Sequence, residues 1–308
     1  MISVIVPTYK RTESLIACLG GLQRQTLMPN EVIVVVRDID QDTINLLEAQ
    51  RFSPLNIKIV VVSVTGHVAA LNKGLDSCKG ELIAITDDDT VPREMWLYHI
   101  KRNFEADPAV GGVGGRDWVH SGGKVLDGQK KRIGQVKWFG KVVGNHHLGT
   151  KLQEVDVLKG ANMSFRREAV SSIRFDERLK GNGAQVHNDL AFSLEVKRAG
   201  WKLVYDPLIA VDHYPAQRFD EDKRNSFNRV AQFNSVYNET LTLKQYLGPY
   251  KSPIFLLWSV LIGTSTSPGL LQVIRLLAIR RSDHLLSKFI ATQRGRWNGI
   301  GISTKGRV

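Results

Sequence analysis

The chain has 308 residues, 43% of them hydrophobic and 23% charged, a composition that folds into one large domain or two ordinary ones and excludes a disordered chain. A net charge of +12 directs it toward polyanions: nucleic acid, anionic lipid headgroups or phosphorylated small molecules. No zinc-finger spacing, RNA-recognition signature or continuous basic helix is present, which argues against nucleic acid, and two cysteines, Cys18 and Cys78, read as buried thiols in a reducing compartment rather than a disulfide framework.

Residues 2–6 form a short apolar strand with no secretory signal ahead of it, so the body of the chain is expected in the cytosol. A helix follows, with Leu15, Ile16, Leu19 and Leu22 on one face and Thr12 as its expected N-cap. Residues 31–36, 57–63 and 81–86 read as further strands, with helices over 69–75 and 95–104. Strands alternating with helices predict an α/β fold: a mainly parallel sheet, helices on both faces, and ligands bound at the carboxyl ends of the strands. Pro7-Thr-Tyr-Lys-Arg11 and the run Asp87, Asp88, Asp89 both fall at such ends. Where a dinucleotide fold would carry spaced glycines this chain has Pro7, Thr8 and Tyr9, and it has no Walker loop.

Three adjacent aspartates repel one another unless a cation neutralises them, and an all-oxygen set suits Mg²⁺ or Mn²⁺ better than zinc. A solvated acidic turn is the competing reading. The glycines at 111–115 predict a bulged strand or a close backbone approach. Residues 116–160 show little apolar periodicity and read as a variable loop region, in which Trp138 and the His146-His147 pair either face a sugar or acceptor or serve as packing. In the last third, 253–262 and 270–279 are apolar stretches separated by Gly263-Thr-Ser-Thr-Ser-Pro-Gly269, each too short to span a bilayer. Arg280, Arg281, Lys288, Arg294, Arg296, Lys305 and Arg307 follow, opposed by Asp283 alone, which predicts interfacial helices on an anionic membrane; a helical pair packed on the rest of the protein is the alternative.

Taken in order, Val4-Ile-Val-Pro-Thr-Tyr-Lys-Arg11, Thr86-Asp-Asp-Asp-Thr-Val-Pro92, Gly160-Ala-Asn-Met-Ser-Phe-Arg166, and Asn188-Asp189 ahead of Gly200-Trp201 and Tyr205-Asp-Pro207 resemble the family-2 glycosyltransferases of the GT-A fold over roughly residues 1–218. The resemblance implies a catalytic domain over 1–220, divided into a nucleotide-binding half (1–105) and an acceptor-binding half (106–220), with a helical extension over 221–308. It implies transfer of a sugar, with inversion, from a nucleoside diphosphate sugar to a hydroxyl of a lipid-linked or polysaccharide acceptor at the cytoplasmic face of a membrane. A membrane-surface nucleotide-sugar-binding protein without turnover is the second reading.

By the same resemblance, Asp89 ligates a divalent Mn²⁺ or Mg²⁺ with Asp87 and His213, and Asp87 or Asp88 approaches the ribose or donor sugar. Pro7, Tyr9, Arg11, Asp38, Asn72 and Arg218 complete the donor site, while Asn162 and Trp138 face the acceptor. Asp189 is the general base. Asn188 stands where the family has glutamate, Ala191 where a second aspartate is common, Glu195 where arginine is common, and Val34-Val-Val-Arg-Asp38 lacks the usual paired aspartates, which leaves the nucleotide open.

Overall fold

The computed structural model describes residues 1–50, 52–223, 226–279 and 284–301. They form two compact units: Met1–Gln135 with Val143–Phe175 and Phe192–Ala216, and Val136–Val142 with Asp176–Ala191 and Gln217–Val308.

The chain runs β1 (Ile2–Thr8), α1 (Thr12–Gln23), β2 (Glu31–Arg37), α2 (Gln41–Ala49), β3 (Ile57–Val62), α3 (His67–Ser77), β4 (Leu82–Thr86), β5 (Thr90–Pro92), α4 (Trp96–Ala106), β6 (Val110–Ser121), β7 (Lys124–Val125), β8 (Gln135–Val136), β9 (Val142–Val143), β10 (Gln153–Val155), β11 (Asn162–Arg166), α5 (Arg167–Val170), α6 (Asn188–Arg198) and β12 (Lys202–His213). Among the described residues, ten strands make one mixed sheet along the path β10-β12-β6-β11-β4-β1-β2-β3, with β5 on β12 and β7 on β6. Strands β4, β1, β2 and β3 are parallel, and β1 is buried along its whole length because helices cover both sheet faces. From β1 the chain steps outward to β2 and β3, then returns to place β4 on the other side of β1. That reversal brings Thr8 and the aspartate run together at the carboxyl ends of β1 and β4, the end at which open α/β sheets bind ligands.

Local details depart from the sequence expectations for identifiable reasons. Thr12 is the first helical residue of α1 rather than its cap: Arg11 occupies that position and makes no side-chain cap bond. Ile16 is 38% exposed, and Cys18 completes the buried face with Leu15, Leu19 and Leu22. Both cysteines are free and buried. Helix α2 has a weak apolar stripe but a strong start signal, Asp40, whose Oδ2 accepts from Thr43 Oγ1 at 2.8 Å. The region read as a variable loop begins inside β6, which continues to Ser121 although Arg116, Asp117 and His120 interrupt its apolar pattern. The glycines there allow the close approach expected of them. A Cβ on Gly115 would strike the carbonyls of Asp206 and Ile209, beside the bulge in β12, and one on Gly111 would strike Trp201.

The second unit is helical: α7 (Arg229–Leu261), α8 (Leu270–Ala278) and α9 (Leu285–Ile300). Helix α7 is broken at Gly248, whose φ of 67° and ψ of −174° stop the helix just before Pro249. Helix α9 lies along the first half of α7 through its glycines: a Cβ on Gly295 would sit 2.7 Å from Phe233 O, and one on Gly299 2.9 Å from Tyr237 O. The polar turn 263–269 is tied down from α7 and α9, since Gln232 Nε2 donates to Thr266 O, Gln293 Nε2 to Pro268 O and Arg296 to Ser267 O. Arg296, expected to face headgroups, is instead 2% exposed, and burial lowers its pKa to about 10. Arg280, Arg281, Asp283, Lys305 and Arg307 lie outside the described residues. No helix among the described residues is long and apolar enough to cross a membrane.

Candidate active site

The three aspartates at the end of β4 occupy different surroundings. Asp88 is 2% exposed and fully engaged: Oδ2 accepts from Thr8 Oγ1 at 2.8 Å and Oδ1 from Arg11 at 2.8 Å. It ties the end of β1 to the end of β4, so it is an anchor rather than the donor contact expected. Burial, reinforced by Asp89, raises its pKa to about 6 against the opposing pull of Arg11. Arg11, also expected to contact the donor, donates from Nη1 to Asp88 and stands 3.8 Å from Asp89, supplying positive charge inside the acidic cluster. Asp87 remains partly exposed and faces His67 at 3.8 Å, a residue at the first turn of α3 that the sequence reading passed over.

Asp89 is held by the chain that follows β12: its Oδ2 accepts from Ala216 N at 3.0 Å and its carbonyl from Tyr214 N at 2.8 Å. Its Oδ1 faces His213 Nε2 at 3.4 Å, while His213 Nδ1 faces Asp117 Oδ2 at 3.6 Å. These are ion-pair distances, and neither ring nitrogen of His213 has a hydrogen-bond partner. Asp117 is 1% exposed and His213 7%. Burial alone would lower the imidazole pKa, yet Asp117 and Asp89 raise it to about 9. Burial would push the Asp117 carboxyl up, and His213, with Lys159 behind it, brings it below the ordinary value. A buried imidazole whose Nε2 faces the carboxylate of Asp89 and has no hydrogen-bond partner is a nitrogen-and-oxygen pair able to hold a divalent cation.

Mg²⁺ and Mn²⁺ take one or two protein side chains and complete their shell with water and substrate phosphate, and here Asp89 and His213 would be those side chains. Asp87, expected as a third, does not join them, and among the described residues no group of three or more His, Cys, Asp or Glu is arranged to hold a metal.

Of the other expected donor residues, Pro7 is buried within β1 opposite Val35, and Tyr9 lies beneath Lys10 and Arg37 at 5.4 and 5.9 Å from its ring centre. Asp38 is exposed past the end of β2, 3.6 Å from Arg37. Two residues expected to line pockets are structural. Asn72 clamps Phe175, donating to its carbonyl at 3.0 Å and accepting from its N–H at 2.8 Å. Asn162 is fully buried, accepting from Trp96 Nε1 at 2.8 Å and donating to Ile209 O at 2.8 Å, which removes it from acceptor recognition.

The second unit carries the remaining candidates. Asp189 is the second residue of α6, and its Oδ1 accepts from Leu190 N at 2.8 Å. The loop before it is strained, with Gln185 at φ 42° and His187 at φ 75°, both in the left-handed region that side chains rarely adopt. Asn188 secures that loop by donating to Ala184 O and Gln185 O. Asn238 on α7 secures it further, accepting from Lys180 N and donating to Lys180 O and Val186 O. Its sequence context, Asn238-Glu-Thr240, resembles a glycosylation sequon, and no pattern signals its clamping role. Arg218 is ion-paired with Asp222. Trp138 is 63% exposed and meets Phe139 edge-on, while Phe139 in turn meets Trp258.

The pattern of the family described as "Glycosyltransferase like family 2" matches residues 1–230. Among curated proteins, the chain is 28% identical over 130 residues to the uncharacterized glycosyltransferase YwdF of Bacillus subtilis, covering 42% of this chain and 44% of that one. It is 23% identical over 239 residues to the amylovoran biosynthesis glycosyltransferase AmsB of Erwinia amylovora, covering 75% of each. The chain therefore spans less than half the length of YwdF and three quarters of AmsB. Among solved structures it is similar to the mannosyltransferase PcManGT of Pyrobaculum calidifontis in complex with GDP-Man and Mn²⁺ (TM-score 0.55, 16% identity, 97% of this chain and 86% of that one). It is similar also to residues 1–349 of TarS of S. aureus in complex with UDP (TM-score 0.60, 15% identity, 97% and 81%). At these identities the structures speak to the fold, a GT-A-type α/β arrangement.

Proposed function

Because the chain belongs to glycosyltransferase family 2, we propose that it is an inverting, metal-dependent enzyme that moves a sugar from a nucleoside diphosphate sugar to a hydroxyl of a lipid-linked or polysaccharide acceptor. The observation that carries the reading is the Asp89–His213 pair, 3.4 Å apart and buried, with Asp89 following the carboxyl end of β4. A divalent cation held there supplies positive charge against a diphosphate as the glycosidic bond breaks. Relatives fit this class: AmsB is an amylovoran biosynthesis glycosyltransferase, and the chain is 20% identical over 207 residues, 67% of this chain and 48% of that one, to a poly-beta-1,6-N-acetyl-D-glucosamine synthase of Staphylococcus aureus.

In the reaction the acceptor oxygen bonds to the anomeric carbon as that carbon's bond to the diphosphate oxygen breaks. Asp189 accepts the hydroxyl proton, a role that suits a carboxylate at a helix start on a loop fixed by Asn188 and Asn238. Arg11 and Thr8 keep Asp88 in place and so fix the peptide that carries Asp87 and Asp89. The reading further puts the protein at the cytoplasmic face of a membrane. In its favour, α8 has no buried residue, Ile274 and Leu277 are 63% and 60% exposed, and beyond Glu239 the sequence holds a single carboxylate side chain, Asp283.

A screen of UDP- and GDP-sugars for Mn²⁺-dependent hydrolysis or transfer tests the activity. Turnover of one donor that stops with chelator is the expected result; tight donor binding without turnover of any would favour a binding protein of the same fold. Co-sedimentation with anionic vesicles tests the location, and a chain that stays in the supernatant at low salt would overturn it.

A further inference from the structure

Asp117 belongs to none of the motifs that mark the family resemblance, yet it is among the most buried charged groups of the first unit. It sits on β6, paired in register with Val211 of β12, two residues before His213. Its side chain is 2% exposed and its Oδ1 has no hydrogen-bond partner, while its Oδ2 lies 3.6 Å from His213 Nδ1. Placing a carboxylate in so dry a position is costly unless something in the site uses its charge.

The three groups form a line: Asp117 Oδ2, the imidazole of His213, then Asp89 Oδ1. An imidazole that binds a metal through one nitrogen generally donates its other N–H to a carboxylate or carbonyl, which fixes the tautomer and the ring orientation. Here one nitrogen faces the aspartate taken as a cation ligand and the other faces Asp117. No other carboxylate forms an ion pair with His213 Nδ1 among the described residues.

We propose that Asp117 is the positioning residue of the cation site: it accepts the Nδ1–H of His213 and so turns Nε2, unprotonated, toward a cation shared with Asp89. The inference rests on the reading of Asp89 and His213 as cation ligands and deepens it. Asp117 itself touches neither cation nor substrate. It acts through His213, so its effect should vanish when His213 is absent.

The test is Mn²⁺ binding, read as loss of the free-ion electron paramagnetic resonance signal in the presence of UDP and, separately, GDP, with no turnover required. Asp117→Ala should weaken Mn²⁺ binding about 10- to 100-fold. Asp117→Asn, which keeps an acceptor oxygen but loses the charge, should recover part of that loss and guards against a folding defect in the alanine variant. His213→Ala should weaken binding at least as much as Asp117→Ala, and the double variant should be no worse than His213→Ala alone. Losses that add in the double variant, or wild-type Mn²⁺ affinity in a folded Asp117→Ala protein, would overturn the inference. If Asp89→Ala and His213→Ala also keep wild-type affinity, the cation reading itself falls, an outcome separate from failure at Asp117 alone.

Discussion

The two units handle charge and apolar surface in opposite ways. The first buries most of its apolar side chains and places acid inside as well: Asp88, Asp89 and Asp117 are each 2% exposed or less. The second leaves apolar side chains in the open, with Leu257, Leu286 and Trp297 each more than 60% exposed, and exposes Lys251, Arg275 and Arg294 among them. Charges concentrated at low dielectric interact strongly, so a single substitution in the first unit should have a large effect. A dispersed surface of apolar and basic groups binds by summation, and a single substitution there should have a small one.

The sharpest way to break this contrast is Asp89→Ala. It removes a charge opposite His213, and metal-dependent donor affinity is expected to disappear. Titration of UDP and GDP with and without Mn²⁺ reads the effect, and unchanged metal dependence would show that the buried acids serve the fold alone. Asp189→Asn should lower transfer by roughly 10²- to 10⁴-fold while donor affinity stays near wild type, since a general base contributes to the chemical step. Steady-state transfer set beside nucleotide titration separates the two, and wild-type turnover would move the base elsewhere.

Stability sharpens the same contrast. Trp96 is fully buried and donates to Asn162, so Trp96→Ala should cost about 3–5 kcal/mol, whereas Leu257→Ala on the open face of α7 should stay within about 0.5 kcal/mol. Urea unfolding of the two variants side by side measures it, and comparable losses would mean the second unit's apolar face is covered in solution. A pH effect of intermediate size should reside in the first unit. With the pKa of His213 raised to about 9 above an ordinary value of 6.5, the stabilisation from its proton is complete below pH 6.5 and fades as pH rises through 9. In chelated protein the melting temperature should therefore fall over that window, and His213→Ala should flatten the slope.

How legible each feature was in the sequence follows from the range of the physics involved. Periodicity is local, so the parallel strands and the placing of Asp87, Asp88 and Asp89 at a strand end could be read directly. The division of labour within that run could not, because it depends on Thr8 and Arg11 arriving from β1. Asn72 and Asn162 look like pocket residues by motif, yet their amides are spent on Phe175, Trp96 and Ile209, partners tens of residues away. Asp117 gave no signal because it falls just past the glycines, where apolar periodicity is lost and the chain reads as a loop. In the last third, composition correctly announced basic and apolar character, but only the fold reveals that Arg296 points inward while Arg275 points out.

That last distinction yields the smallest expected effect. Arg275 is exposed on α8 beside Ile274, so on an anionic bilayer it should contribute on the order of 1 kcal/mol, about fivefold in partitioning. Arg275→Gln should weaken binding to anionic vesicles by that factor at low salt and by little at high salt, where the surface potential is screened within a few ångströms. The melting temperature should hardly move, because the side chain is exposed. Arg296→Gln is the internal contrast: its guanidinium bonds Ser267 O inside the unit, so the loss should fall on stability and leave the salt dependence of vesicle binding intact. Co-sedimentation across a salt series, paired with thermal unfolding, reads both. If Arg275→Gln destabilises the fold or leaves partitioning unchanged, the open face of the second unit is not meeting lipid and the contrast between the two units fails at its weaker end.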